Sequence, residues 1–176
     1  MKTLWLVRHA KSSWKDASLD DVDRPLNARG KRDAPAMGAR LADAGCKPAV
    51  VVTSPARRAR ATAKRIARAL PGDRGDAVVD TRLYDGGVEG VLAVVRSLPD
   101  EADAALTVGH MPSLASAGYS LVGEALGDGA LPTCAVLELI LDVERWRDVD
   151  HGAVVSATLR VPKSDRPLVW PPPSEE

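Results

Sequence analysis

The chain alternates short apolar runs with longer amphipathic segments. The apolar runs are bounded by polar residues, as is typical of strands buried on both faces of a parallel sheet. We predict strands at 4–7, 49–53, 78–80 and 104–108. Apolar positions at helical spacing predict helices over 27–44, 56–70, 88–98 and 113–126. This alternation predicts a three-layer α/β/α sandwich with a mostly parallel sheet.

Local signals mark the ends of these helices and the remaining segments. Asn27 and Ser113 are suitable N-caps, and Gly45 and Pro99 are stop signals. The intervening segments 71–76 and 83–87 are predicted as a turn and a loop. Two more strands are expected at 135–141 and 153–161, joined through 145–147 as an antiparallel pair at one edge of the sheet.

The length of 176 residues suits a single domain, which we place at 1–166. The Pro-rich segment 167–176 is expected to be a mobile tail. Lys plus Arg and Asp plus Glu are equal at 24 each, so the net charge favours neither a nucleic acid nor a membrane partner. Cys46 and Cys134 lack metal-ligand spacing and are expected to be small buried side chains. With no signal peptide or spanning apolar run, we expect a cytoplasmic protein.

Polar side chains follow three of the predicted strands. Arg8 and His9 end the first strand, Ser54 follows the second, and His110 follows the strand at 104–108. The carboxyl ends of parallel strands meet at one edge, where open α/β sheets bind ligands. A guanidinium group supplies a fork of donors for an anion, and a neutral imidazole can act as nucleophile or base.

The segment 54–63, SPARRARATA, places several arginines in the first turns of a helix. The helix dipole disfavours cations at this end. The placement becomes favourable if an anion binds there, because the helix N-terminus and an arginine attract the same ligand.

Three motifs in this order resemble the histidine phosphatase superfamily, also called the phosphoglycerate mutase-like fold. They are Arg8-His9 after the first strand, S-P-x-x-R-A-x-x-T-A at 54–63, and V-G-H at 108–110. The added motifs KSSW at 11–14, RPLN at 24–27 and LY at 83–84 resemble its SixA-like phosphohistidine phosphatase branch. The resemblance covers the chain up to about residue 141.

The resemblance implies a role for each matching residue. His9 would be the nucleophile that forms a covalent phosphohistidine, which water then hydrolyses. Arg8 and Arg58 would hold the phosphoryl oxygens, and His110 would add a further donor. The motif register selects Arg58, whereas Arg57 and Arg60 should point elsewhere on the helix. No metal and no cofactor is implied.

The resemblance provides no clear general acid. Asp85 is the nearest candidate, although an Asp-Gly-Gly sequence is also a common turn, and Asp16 and Asp20 are weaker candidates. Ala10 stands where many members of the family have glycine, which is tolerable if this position needs no positive φ. A phosphoester needs its alkoxide protonated, whereas an imidazole leaving group takes a proton readily from solvent. A site without a dedicated acid therefore favours phosphohistidine as substrate.

The short connections predict an open site that suits a phosphorylated protein side chain. Ser12 and Trp14, in the loop 11–24, are candidate substrate contacts, and packing against its own domain is the alternative for Trp14. Arg24 is expected to pair with Asp21 or Asp23. The leading hypothesis is a metal-independent phosphatase acting on phosphohistidine in a signalling or phosphotransfer protein. The alternatives are a phosphomonoesterase for a sugar phosphate or nucleotide, and a non-catalytic phosphate-binding module.

Overall fold

The computed structural model describes residues 1–72, 76–122, 131–164 and 166–170. The strands are β1 (Lys2–Arg8), β2 (Val50–Thr53), β3 (Val78–Val79), β4 (Ala104–Gly109), β5 (Val136–Leu141), β6 (Val154–Arg160) and β7 (Leu168–Trp170). The helices are α1 (Ala28–Asp43), α2 (Arg57–Ala69), α3 (Arg82–Asp85), α4 (Gly87–Arg96) and α5 (Ser113–Val122). The expected continuation of α5 to residue 126 falls outside the described residues.

The strands form one sheet in the order β3-β2-β4-β1-β5-β6-β7. The pairings of β1 with β4, β2 with β4 and β2 with β3 are parallel. The pairings of β1 with β5, β5 with β6 and β6 with β7 are antiparallel. The expected parallel sheet is therefore correct for β1 to β4, and the C-terminal part of the chain adds an antiparallel half.

Strand β1 lies at the centre of the sheet and is buried on both faces. Leu4 and Leu6 belong to the apolar cluster under α4 and α5, whereas Trp5 and Val7 belong to the cluster under α1 and α2. The alternation follows from the two-residue period of a strand. The helices on both faces confirm the three-layer arrangement.

The structure corrects two predictions of irregular backbone. The loop expected at 83–87 begins with the short helix α3, where the Asp80 carboxylate accepts a hydrogen bond from the backbone N–H of Arg82 at 3.0 Å and the Leu83 side chain is buried. The first part of the tail expected at 167–176 contributes β7, which pairs with β6 and packs Trp170 against the core, whereas residues 171–176 fall outside the described residues. No helix in the described ranges is long and apolar enough to cross a membrane.

The strand order brings the predicted polar residues to one edge of the sheet. Strand β4 lies between β1 and β2, with Arg8 opposite Gly109 and Thr53 opposite Val108. The residues that follow these strands, His9, Ser54 and His110, therefore begin side by side.

Candidate active site

His9 is buried directly after β1, and its hydrogen bonds define its tautomer. Its Nδ1 atom lies 2.7 Å from the backbone oxygen of Ala10. Because a carbonyl oxygen can only accept, Nδ1 carries the hydrogen and donates it. The Nε2 atom therefore keeps its lone pair.

Arg58 is the second residue of α2 and reaches across the site with its whole guanidinium group. Its Nε donates to Nε2 of His9 at 3.3 Å, and its Nη2 lies 3.3 Å from Nδ1 of His110. Arg57 and Arg60 are exposed and have no side-chain contact with this cluster. The structure thus places Arg58 at the site, as the motif register predicts.

His110 is held by partners on both ring nitrogens. Its Nδ1 accepts from Arg58, so Nε2 carries the hydrogen and donates to Oγ of Ser54 at 2.7 Å. Ser54 also accepts from the backbone N–H of Ala56, which fixes its position at the start of α2. The rings of His110 and His9 lie 5.0 Å apart between centroids.

Both histidines are kept neutral at neutral pH. Burial, together with the nearby cations Arg58 and Arg8, lowers the pKa of His9 to about 4. Burial lowers the pKa of His110 to about 3, together with the charge that His9 carries once it is protonated and the charge of Arg58. Because both imidazoles are neutral and the guanidinium groups beside them are charged, the local charge is positive. This charge favours the binding of an anion.

Two other arginines bring buried donors to the site region. Arg8 donates from Nη1 to the backbone oxygen of Leu131 at 2.6 Å, and burial lowers its pKa. Its Nε atom and the Nη1 atom of Arg24 are buried without a hydrogen-bond partner among the described residues. Because buried donors are normally paired, these nitrogens are consistent with a site whose ligand supplies acceptor oxygens.

Asp21 is a site residue that the sequence analysis did not assign to the site. Its Oδ2 atom accepts from Nη2 of Arg58 at 2.7 Å and from the hydroxyl of Tyr84 at 2.9 Å. Its Oδ1 atom accepts from Nε of Arg24 at 3.0 Å, which is the expected pairing of Arg24. Burial acts to raise the pKa of Asp21, but the hydrogen bonds from Arg58 and Tyr84 hold it below its usual value. The carboxylate is therefore ionised at neutral pH.

Thr62 connects α2 to the segment that follows the histidine. Its Oγ1 atom accepts the backbone N–H of Ala10 at 3.0 Å and donates to the backbone oxygen of Arg58 at 2.7 Å. In the S-P-x-x-R-A-x-x-T-A motif the threonine follows the arginine by four residues. This spacing is one helical turn, so the threonine hydroxyl can donate a hydrogen bond to the backbone oxygen of the arginine. It fixes the strand end and the helix relative to each other.

The remaining predicted contacts lie farther from the histidines. Asp85 is exposed at the end of α3 and takes no part in the hydrogen bonds or ion pairs of the described cluster. Trp14 is 71% exposed and stacks on Arg24, whose Cζ atom lies 3.3 Å from the ring centroid. Ser12 is buried and forms an isolated backbone bridge with Leu26. The structure therefore does not join Asp85, Trp14 or Ser12 to the histidine cluster directly.

A buried neutral histidine beside converging guanidinium groups, at the carboxyl edge of an α/β sheet, can bind an anion and present a nitrogen nucleophile to it. A family model for the histidine phosphatase superfamily (branch 1) matches residues 4–160. The chain belongs to that superfamily.

The chain also resembles proteins that have not been characterized. The chain is 30% identical over 167 residues to an uncharacterized protein of Mycobacterium tuberculosis, covering 89% of this chain and 100% of the relative. It is 41% identical over 71 residues to an uncharacterized chloroplastic protein of Arabidopsis thaliana. That match covers 40% of this chain and 33% of the plant protein.

Solved structures extend the similarity to the SixA-like branch. A protein assigned as the phosphohistidine phosphatase SixA of Nakamurella multipartitia has a TM-score of 0.69 and 31% identity, covering 98% of this chain and 97% of that chain. The corresponding protein of Agrobacterium tumefaciens has a TM-score of 0.72 and 27% identity, covering 80% and 92%. A mycobacterial glucosyl-3-phosphoglycerate phosphatase, at 18% identity and a TM-score of 0.58, shares the fold; the match covers 80% of this chain and 93% of that chain.

Proposed function

We propose that this chain is a metal-independent phosphatase that dephosphorylates phosphohistidine on a protein, with His9 as the nucleophile. The observation that carries the proposal is the hydrogen bond from Nδ1 of His9 to Ala10, which leaves Nε2 unprotonated, with a lone pair that accepts a hydrogen bond from Arg58 until the phosphoryl group arrives. The low pKa of His9 keeps this lone pair unprotonated at neutral pH.

The reaction has two displacements at phosphorus. In the first, Nε2 of His9 forms a bond to phosphorus while the bond from phosphorus to the substrate imidazole breaks, and that imidazole takes a proton from solvent. In the second, water attacks the phosphorylated His9, releasing inorganic phosphate, a proton and the free imidazole. Arg8 and Arg58 would hold the oxygens of the transferring group, since phosphoryl transfer depends on positioning and charge stabilisation. His110 would join them by turning its Nε2 hydrogen from Ser54 to a phosphoryl oxygen.

The choice of phosphohistidine rests on the carboxylate at the site. Asp21 is the carboxylate bonded to the described cluster, and it is ionised and already accepts from Arg58 and Tyr84. It therefore holds no proton for an alkoxide. An imidazole leaving group does not need such a donor, because it is protonated near neutral pH. The similarity to SixA-type proteins supports the same substrate class.

The test compares kcat/KM among four substrates. The first is a protein whose histidine has been phosphorylated by treatment with phosphoramidate, and the other three are p-nitrophenyl phosphate, a sugar phosphate and a nucleoside monophosphate. We expect a preference for phosphohistidine, full activity in excess chelator, and no turnover or phosphoenzyme with His9→Ala. A preference for the esters together with a large loss in Asp85→Asn would instead favour the phosphomonoesterase. Binding of phosphate without turnover of any of these substrates would favour the non-catalytic module.

A further inference from the structure

Helix α2 carries an exposed row of cations outside the histidine cluster. The helix contains six basic residues and no acidic residue in 13 positions, although the whole chain has equal numbers of both. Arg60, Lys64 and Arg68 are spaced four residues apart, so they lie on one face of the helix. We call these three residues the basic stripe.

No acidic side chain among the described residues neutralises the basic stripe. Within the described ranges its three side chains form no ion pair. Some other cations are paired, as in Arg29–Asp33, Arg82–Asp80 and Arg145–Asp148, and others, such as Lys47 and Arg147, are exposed without an ion pair to any described residue but do not form a row on one helix face. Like charges at this spacing destabilise a helix. Repulsion among the three positive charges of the basic stripe therefore lowers the stability of the fold, and an acidic partner bound along the stripe would relieve it.

The basic stripe also borders a groove that reaches the carboxyl end of β2. Arg60, Lys64 and Arg68 all line a surface groove of about 610 Å³, together with Thr53 at the end of β2. Thr53 directly precedes Ser54, the residue that holds His110. From Arg60 to Arg68 the stripe spans about 12 Å along the helix, running away from the site. Asp76 is the acidic residue among those that line the groove.

We propose that the basic stripe docks an acidic surface of the phosphohistidine protein, so that carboxylates beside the phosphohistidine lie along α2 while the phosphoryl group enters the site. This inference rests on the proposed function. Exposed ion pairs of this kind add modest affinity each and speed encounter, so they select among phosphorylated proteins without taking part in the chemistry. The zero net charge of the chain and the connection to the active site favour an acidic protein over a nucleic acid.

The test uses two synthetic phosphohistidine peptides that differ only in flanking residues. One carries Glu and Asp about four to six residues from the phosphohistidine, a reach that matches the length of the stripe, and the other carries Gln and Asn there. We expect the wild-type KM to be about tenfold lower for the acidic peptide, an advantage that added salt removes. Lys64→Glu/Arg68→Glu should erase the preference, and Lys64→Gln/Arg68→Gln should reduce it.

Two controls separate docking from folding and chemistry. Lys47→Glu/Arg147→Glu makes the same change in charge at exposed residues that lie outside α2 and do not line the groove, and it should keep the preference. All variants should turn over p-nitrophenyl phosphate at the wild-type rate, since none alters the histidine cluster.

The outcomes distinguish the docking surface from the proposed function. Equal KM values for both peptides, or a preference unaffected by the reversals at Lys64 and Arg68, would overturn the docking surface and leave the phosphatase intact. Hydrolysis of neither peptide by the wild type would overturn both. Binding of a single-stranded oligonucleotide that is lost with the stripe, without any preference for the acidic peptide, would assign the stripe to nucleic acid instead.

Discussion

The Nε atom of Arg58 lies 3.3 Å from Nε2 of His9 and donates its hydrogen to it. The nitrogen that we propose attacks phosphorus is thus already in contact with the cation that would stabilise the transferring group. The remaining nitrogens of the same guanidinium group bind Asp21 and lie next to His110. Arg58 therefore organises the site through one planar group.

Replacing Arg58 with lysine should lower kcat strongly while the overall charge is unchanged. A lysine ammonium is a point charge and cannot contact His9, Asp21 and His110 together. Loss of one preorganised donor costs about 100-fold to 1,000-fold in kcat in comparable sites. The measurement is the kcat for p-nitrophenyl phosphate, and Arg57→Lys, next to it on the exposed face, is the matched control. Equal kcat values for the two variants would show that the fork geometry of Arg58 is not needed.

The strand ends and the arginine were predictable because each depends on local sequence. Apolar runs ending in Arg8-His9 and Gly109-His110 predict strands and their final residues, because such runs are visible in a single segment. Arg58 was selected over its neighbours by the register of the motif at 54–63 that resembles the histidine phosphatase superfamily.

Asp21 and Tyr84 could not be assigned to the site in this way. Their hydroxyl–carboxylate contact joins residues 63 positions apart, and it depends on how two connecting segments fold over the strand ends. Three acidic residues at 20–23 gave no local reason to select Asp21. The helix α3 was missed because its single buried residue, Leu83, gives no periodic pattern.

Asp21→Asn should lower kcat and also lower KM. The amide loses the charged contact that orients Arg58 and the hydroxyl of Tyr84, so kcat should fall by about tenfold. It also removes a negative charge next to the incoming phosphoryl group, so the affinity for substrate should increase. Steady-state kinetics with p-nitrophenyl phosphate separate the two effects.

Asp23→Asn is the control for Asp21, because Asp23 is exposed in the same short 3-10 turn and its side chain makes no contact with the site cluster. An increase in kcat for Asp21→Asn would contradict the positioning role. It would instead show that the carboxylate blocks the arginine until substrate displaces it.

The imidazole of His9 should remain neutral down to about pH 4. Lowering the pH through 6.5, the usual histidine pKa, should therefore leave the Nε2 lone pair intact, and protonation should appear only near pH 4. A titration of the ring protons by NMR measures this directly, with the resonance assigned through His9→Gln. Titration of His9 near pH 6.5 would show that burial and the cations do not control the nucleophile.

Thr62→Val should reduce both stability and turnover, although the side chain keeps its shape. The valine leaves the buried backbone N–H of Ala10 without its acceptor, which costs about 1–3 kcal/mol of folding free energy. It also releases the segment after His9 from α2, so kcat should fall along with the melting temperature. Thr62→Ser retains the hydroxyl and should restore both, which distinguishes the hydrogen bond from simple packing. If Thr62→Val melts at a lower temperature but keeps the wild-type kcat in the folded state, Thr62 acts on stability alone and does not position the histidine.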